Sequence, residues 1–289
     1  MTTRPTTQTR AHNFTLTHVD APAGVDYPGC QNPRLNDIVV FAAHDDLPGC
    51  AWGLMIPEAF LGKGRRDRNG FCPCLGMTWR AGDGRLSFDN LDYDDNIHLT
   101  VAAELVIEAP DAIRYRVSAR NPTGRTVEHV SFNACFNHGQ APGFGKAALI
   151  PVGDQWLRTD ALSDTPDARH PYFVLRNRET EWLRAGQQDE HYPVHPTVKP
   201  TAPVVVIPGA HGGRPFTLAH AAPDAALLWH NRDHPCTDLW PWLGDIEPGQ
   251  EKAAEGWLLF LEGEVGTDEV LSRYEALRSL TRTRPDILN

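Results

Sequence analysis

The 289-residue chain has too little cysteine for a disulfide framework: six residues (Cys30, Cys50, Cys72, Cys74, Cys135 and Cys236) are scattered along its length. Disulfide scaffolds are short, secreted and cysteine-dense. Cys72-Pro-Cys74 is a C-x-C with no second pair to complete four ligands, so its spacing argues against structural zinc, and free, mostly buried thiols are expected. Basic charge is also short. Twenty-seven Lys and Arg stand against 37 Asp and Glu, a formal net charge of −10, which leaves no general cationic surface for nucleic acid or an anionic membrane. The basic cluster KGRRDR (63–68) reads as a solvated loop. The opening MTTRPTTQTRAHNF lacks the apolar core of a secretory signal, and no window approaches a membrane span, so a soluble cytoplasmic protein is expected. G-x-S-x-G, P-loop, G-x-G-x-x-G and H-E-x-x-H motifs are all missing, and no cofactor is implied. Without an internal repeat or a Ser/Gly linker, one domain over 11–289 is predicted, behind a polar, frayed segment 1–10.

What is present is β-patterned. Short apolar runs alternate with Pro, Gly, Asn and Asp, as in a large antiparallel β-sandwich. DIVVFAAH (37–44) and CAWGLMIP (50–57) read as buried strands. From Ile97 to Ile107 every second residue is apolar, with His98, Thr100, Glu104 and Glu108 on the other side; Ile113, Tyr115, Val117 and Ala119 alternate with Arg114, Arg116, Ser118 and Arg120. The step at Pro110-Asp111 predicts a hairpin in which the glutamates face arginines across the strands. The sole convincing helix is 267–280, with Thr267 as its N-cap and Val270, Leu271, Tyr274 and Leu277 on one face.

The strand 127–138 is unusual. Val130, Phe132, Ala134 and Phe136 form an apolar face, while His129, Ser131, Asn133, Cys135 and Asn137 form a polar one without Lys or Glu, which suits the floor of a polar groove better than a solvent face. The strand closes on Asn137-His138-Gly139, and His138, with its near-neutral intrinsic pKa, is a candidate acid or base.

The stretch Leu227–Leu261 holds four of the eight tryptophans (Trp229, Trp240, Trp242 and Trp257) together with His230, His234, Asp233, Asp238, Asp245 and Glu247. It reads as strand, functional loop, tight turn and strand. Flat aromatic faces beside carboxylates and imidazoles fit a sugar, whose C–H faces stack and whose hydroxyls hydrogen-bond. The spacing of His230 and His234 could serve a metal on a helix, but Pro235 opposes a helix, and acid–base roles with Asp233 are preferred.

On these residues the chain resembles the galactose mutarotase-like group of β-supersandwich proteins: long alternating strands over 11–262, a histidine closing a mid-chain strand (Asn137-His138) and an acid at the late Glu247-Pro-Gly turn. The resemblance implies a carbohydrate-active enzyme, a mutarotase or epimerase or else a glycoside hydrolase or lyase, with His138 as acid and Glu247 as base. His230 and His234 compete for a second histidine. The expected catalytic set is therefore His138, Glu247, His230, Asp233 and His234, with Trp240, Trp242, Asn133, Asn137, Asp238 and His129 contacting a small-molecule or oligosaccharide substrate and no metal. A non-catalytic carbohydrate-binding protein is the alternative.

Overall fold

Period-two alternation gives each strand one apolar face to bury against a packed layer, and the chain satisfies it with two stacked antiparallel sheets. The structure, a computed structural model, describes residues 6–19, 39–62, 78–93, 98–162, 172–178, 194–231 and 235–282. Among these, the first sheet runs in the order β1 (Thr6–Ala11), β2 (Phe14–Val19), β3 (Val40–His44), β4 (Ala51–Leu61), β9 (Val127–Gln140), β16 (Cys236–Ile246), β15 (Ala225–Asn231), β12 (Phe173–Val174). The second runs β11 (Gln155–Arg158), β10 (Leu149–Val152), β13 (Val204–His211), β14 (Arg214–Ala221), β17 (Glu251–Glu262), β8 (Ala112–Arg120), β7 (Leu99–Ala109), β6 (Arg85–Tyr93), β5 (Arg80–Gly82).

The inner faces meet over an aromatic core. The Phe260 ring on β17 makes edge contacts with Phe14, Trp52 and Phe136 of the first sheet at centroid distances of 4.9, 5.0 and 5.8 Å. The predicted 97–120 hairpin forms as β7–β8, with Glu104 opposite Arg116 and with Arg114 Nη2 donating to Glu104 Oε1 at 3.1 Å (Ile97 itself lies outside the described residues). Helix α1 (Thr267–Arg282) covers the outer face of the second sheet, where Val270, Tyr274 and Leu277 are buried against Trp257, Val204 and Val206. No helix among the described residues is long and apolar enough to cross a membrane.

Three sequence expectations are corrected. Residues 6–10 are not frayed: they belong to β1, which pairs with β2 and is tied to the β5–β6 turn where the Thr9 hydroxyl donates to the Gly82 carbonyl at 2.7 Å. The helix is capped by Gly266 rather than Thr267, since the Gly266 carbonyl accepts from Glu269 and Val270. The largest change is at 236–246, which includes Pro241 and lies within the stretch where a functional loop is expected. It is strand β16, in the middle of the first sheet. Proline lacks an N–H, and the chain accommodates it with a register shift at Ala225/Leu227 on β15 and with bulges at Trp242/Gly244 on the β9 side.

Candidate functional site on the outer face of the first sheet

Strand β9 sorts the candidate residues, because neighbours along a strand point to opposite faces. Phe132 and Phe136 point inward, against Phe60 and Phe260. Ser131, Asn133, Cys135 and Asn137 therefore point outward. The register places Cys236 beside Asn137, Asp238 beside Cys135 and Trp242 beside Ser131, so β16 contributes Cys236, Asp238, Trp240 and Trp242 to the same outer face. Of the substrate-contacting residues expected from sequence, Asn133, Asn137, Asp238, Trp240, Trp242 and His129 are thus brought together on one sheet surface. His129 and Trp242 form its rim, with ring centroids 5.8 Å apart and His129 Nδ1 3.7 Å from Asp245 Oδ1. Trp240 is buried rather than solvent-facing, and Tyr172 stacks on Trp229 (5.1 Å, 6°) beside it.

At the centre stands a residue that the sequence reading missed, Glu58. Opposite β9, strand β4 runs from Met55 (beside Cys135) to Ala59 (beside Asn133), carrying two more residues than its partner over that interval. The segment Ile56-Pro57-Glu58, set against the single residue Ala134 on β9, includes a proline that cannot donate to the ladder. The resulting bulge delivers the Glu58 carboxylate to the outer face, where Asn133 Nδ2 donates to Glu58 Oε2 at 2.7 Å and to Asp238 Oδ2 at 3.1 Å. Glu58, Asn133 and Asp238 are 4, 2 and 1% exposed. Two carboxyl groups sharing one amide in a dry site are costly unless something compensates their charge. Burial accordingly pushes the Asp238 carboxyl up to about 7, against the opposing hydrogen bonds from Asn133 and from the Cys135 and Cys236 thiols. Asn133 Oδ1, Asp238 Oδ1 and Ser131 Oγ have no hydrogen-bond partner among the described residues. The signal for Glu58 was there: it is the one charged residue in the otherwise apolar run from Cys50 to Gly62.

The histidines lie on the opposite side. His138 shares the parity of Phe132 and Phe136 and points between the sheets, its ring in edge contact with Phe136 at 4.5 Å. It is 1% exposed; burial, aided by the neighbouring His230 and His220, lowers its pKa to about 3, so it is a neutral core imidazole at physiological pH. His230 also faces inward. Its Nε2 lies 2.9 Å from the Gly145 carbonyl, which can only accept, so Nε2 carries the proton and Nδ1 accepts from the Thr159 hydroxyl at 2.7 Å. His220 is held in the same way, with Nδ1 donating to the Thr237 carbonyl (3.3 Å) and Nε2 accepting from Tyr115 (3.0 Å). Both ring nitrogens of His230 and of His220 are spent on the scaffold, whereas His138 Nδ1 has no hydrogen-bond partner among the described residues.

Glu247 is nowhere near. It is exposed at the β16–β17 turn, where it accepts from Thr126 Oγ1 at 2.6 Å, beside the start of β9. His138 lies at the far end of that strand, eleven residues beyond Val127, roughly 36 Å along it at ~3.3 Å per residue. The expected His138–Glu247 acid–base pair therefore does not form. Asp233 and His234 lie outside the described residues.

Among known proteins, no family model matches the chain and no curated protein matches it by sequence. Its fold is similar to that of solved mutarotase-like structures. One is a galactose mutarotase-like protein from Lactobacillus casei (10% identity, TM-score 0.46, covering 89% of this chain and 100% of the other). Another is a candidate aldose 1-epimerase from Klebsiella pneumoniae (10% identity, TM-score 0.34, 84% of this chain and 58% of the other). These are likenesses of β-sandwich architecture, and what the chain does has to be read from its own site.

Proposed function

We propose that this chain is a carbohydrate-active enzyme that holds a sugar on the outer face of its first sheet, over β4, β9, β16 and β15. The observation that carries the reading is the buried Glu58–Asn133–Asp238 set, in which one amide nitrogen serves two carboxyl groups and leaves further oxygens without partners. Such oxygens are acceptors for hydroxyl groups, and the half-buried Trp229 and Trp242 rings on the same face supply the apolar wall that sugar C–H bonds need. In this reading Glu58 exchanges a proton with a ring or anomeric hydroxyl, while Asn133 orients its carboxylate and Asp238 anchors Asn133 from the other side.

The spacing argues against inverting hydrolysis and fits proton exchange at one sugar atom or a retaining reaction (carboxyl groups ~5–5.5 Å apart). Glu58 Oε2 and Asp238 Oδ2 lie 2.7 and 3.1 Å from the same nitrogen, which keeps them within about 6 Å of each other. Inverting glycosidases need carboxyl groups ~6.5–9.5 Å apart to admit a water. The test is a monosaccharide and glycoside panel with the purified protein, read by NMR for anomer exchange or bond cleavage and by tryptophan fluorescence for binding. Glu58→Gln is expected to lower turnover by ~100-fold or more while binding persists. Full turnover in that variant, or no sugar response from the wild type, would sink the proposal; binding without turnover would make the protein a sugar-binding module.

A further inference from the structure

We propose that Cys135, Cys236 and Asp238 form a binding site for a thiophilic divalent cation, zinc above all. The three residues lie on neighbouring central strands and face outward together, and their ligand atoms, two Sγ and a carboxylate oxygen, all lie within 4.8 Å of one another. All three are buried, at 2, 3 and 1% exposure. Around zinc, with Zn–S near ~2.3 Å and Zn–O near ~2.0–2.2 Å, ligand atoms sit roughly 3.5–3.8 Å apart, so side-chain movements of roughly 1 Å close the set.

An independent observation points to a ligand here. The Asp238 carboxyl takes a hydrogen bond from Asn133 at Oδ2 and is further stabilised by the Cys135 and Cys236 thiols, but its Oδ1 has no hydrogen-bond partner and no cationic side chain among the described residues pairs with it. An unsatisfied carboxylate oxygen in a dry interior is a costly feature that a cation would remove. The donor set also selects among metals. Two sulfurs with one carboxylate suit zinc and other borderline or soft ions, whereas calcium and magnesium require all-oxygen shells. Cys135 and Cys236 lie 101 residues apart in sequence, so no spacing motif marks them; β9 and β16 bring them together.

The inference does not rest on the sugar reading, because metal uptake is measured without a sugar. The full chain, freed of metal with a chelator, is titrated with zinc and with cobalt, with bound metal counted by mass spectrometry and cobalt coordination read from the thiolate-to-cobalt charge-transfer absorption. One zinc per chain is expected, with a two-thiolate cobalt band. Cys135→Ser and Cys236→Ser should each weaken binding at least 100-fold, and the near-isosteric Asp238→Asn at least 10-fold; Cys50→Ser and the Cys72→Ser/Cys74→Ser pair should leave it unchanged. Asp238→Asn keeps the test valid if a serine variant fails to fold. Absence of uptake by the folded wild type, cobalt bound without thiolate bands, or uptake lost in the Cys72→Ser/Cys74→Ser variant instead would each overturn the proposal.

Discussion

Lowering the pH should unfold this protein through its buried histidines, and His138 is the place to test it. His138 and His220 have folded-state pKa values lowered to about 3 from an ordinary 6.5, chiefly by burial. A base with a depressed folded pKa takes its proton more readily in the unfolded chain. Its contribution is therefore unaffected above pH ~6.5, and stability is lost as pH falls from there towards ~3. Integrating that difference, each histidine costs about 2 kcal/mol at pH 5 and about 3 kcal/mol at pH 4. Two of them remove roughly 6 kcal/mol at pH 4, a large part of the ~5–15 kcal/mol that a domain has in total. The variant is His138→Leu, similar in volume and set among Phe136 and other core groups. Urea unfolding followed by tryptophan fluorescence at pH 7, 6, 5 and 4 gives stability at each pH for both proteins. Whatever His138→Leu costs at neutral pH, its stability should fall less steeply with acid, by one proton or about 1.4 kcal/mol per pH unit between ~4 and ~6. Identical slopes would mean that His138 titrates normally in the folded state, which would refute its placement in the core and reopen its role as a catalytic acid.

Two further outcomes follow from position. Glu247→Gln should change turnover on any active sugar less than about twofold, against a ~100-fold or greater loss for Glu58→Gln in the same assay; equal losses would move the chemistry to the β16–β17 turn. Asn121 is fully buried, donating from Nδ2 to the Arg125 and Ile246 carbonyls (2.8 Å each) and accepting at Oδ1 from the Thr123 N–H (2.9 Å). Asn121→Ala leaves these groups without partners and should cost about 3 kcal/mol by urea denaturation, and a loss below ~1 kcal/mol would show that water replaces the side chain.

Alternation makes most of the fold legible in the sequence. The Glu104 and Arg114 charges fell on one face and Leu105 and Tyr115 on the other, and the β7–β8 hairpin follows that division. The outward row on β9 was legible for the same reason. The same parity rule, applied one residue further, places His138 with Phe136 and not with Asn137; the adjacency of Asn137 and His138 in sequence hid the fact that a strand sends them to opposite faces. Pro241 misled in another way. A proline usually marks a loop or an edge, but here register shifts against both neighbouring strands accompany it in a strand inside the sheet, where Trp240 is buried.

The rest was unreadable because it depends on long-range register. Asn133 meets Asp238 across 105 residues and Glu58 across 75, and no local pattern encodes which strand β9 will pair with on either side. Glu58 adds a bulge to that distance, since two surplus residues on β4 decide whether its carboxylate reaches Asn133 at all. Local patterning specifies faces, and pairing specifies which faces meet. A glutamate lying alone in an apolar run is therefore as strong a pointer to a buried site as a histidine at a strand end, because burying its charge has to be offset by a specific partner, whereas a neutral imidazole can be accommodated by two ordinary hydrogen bonds.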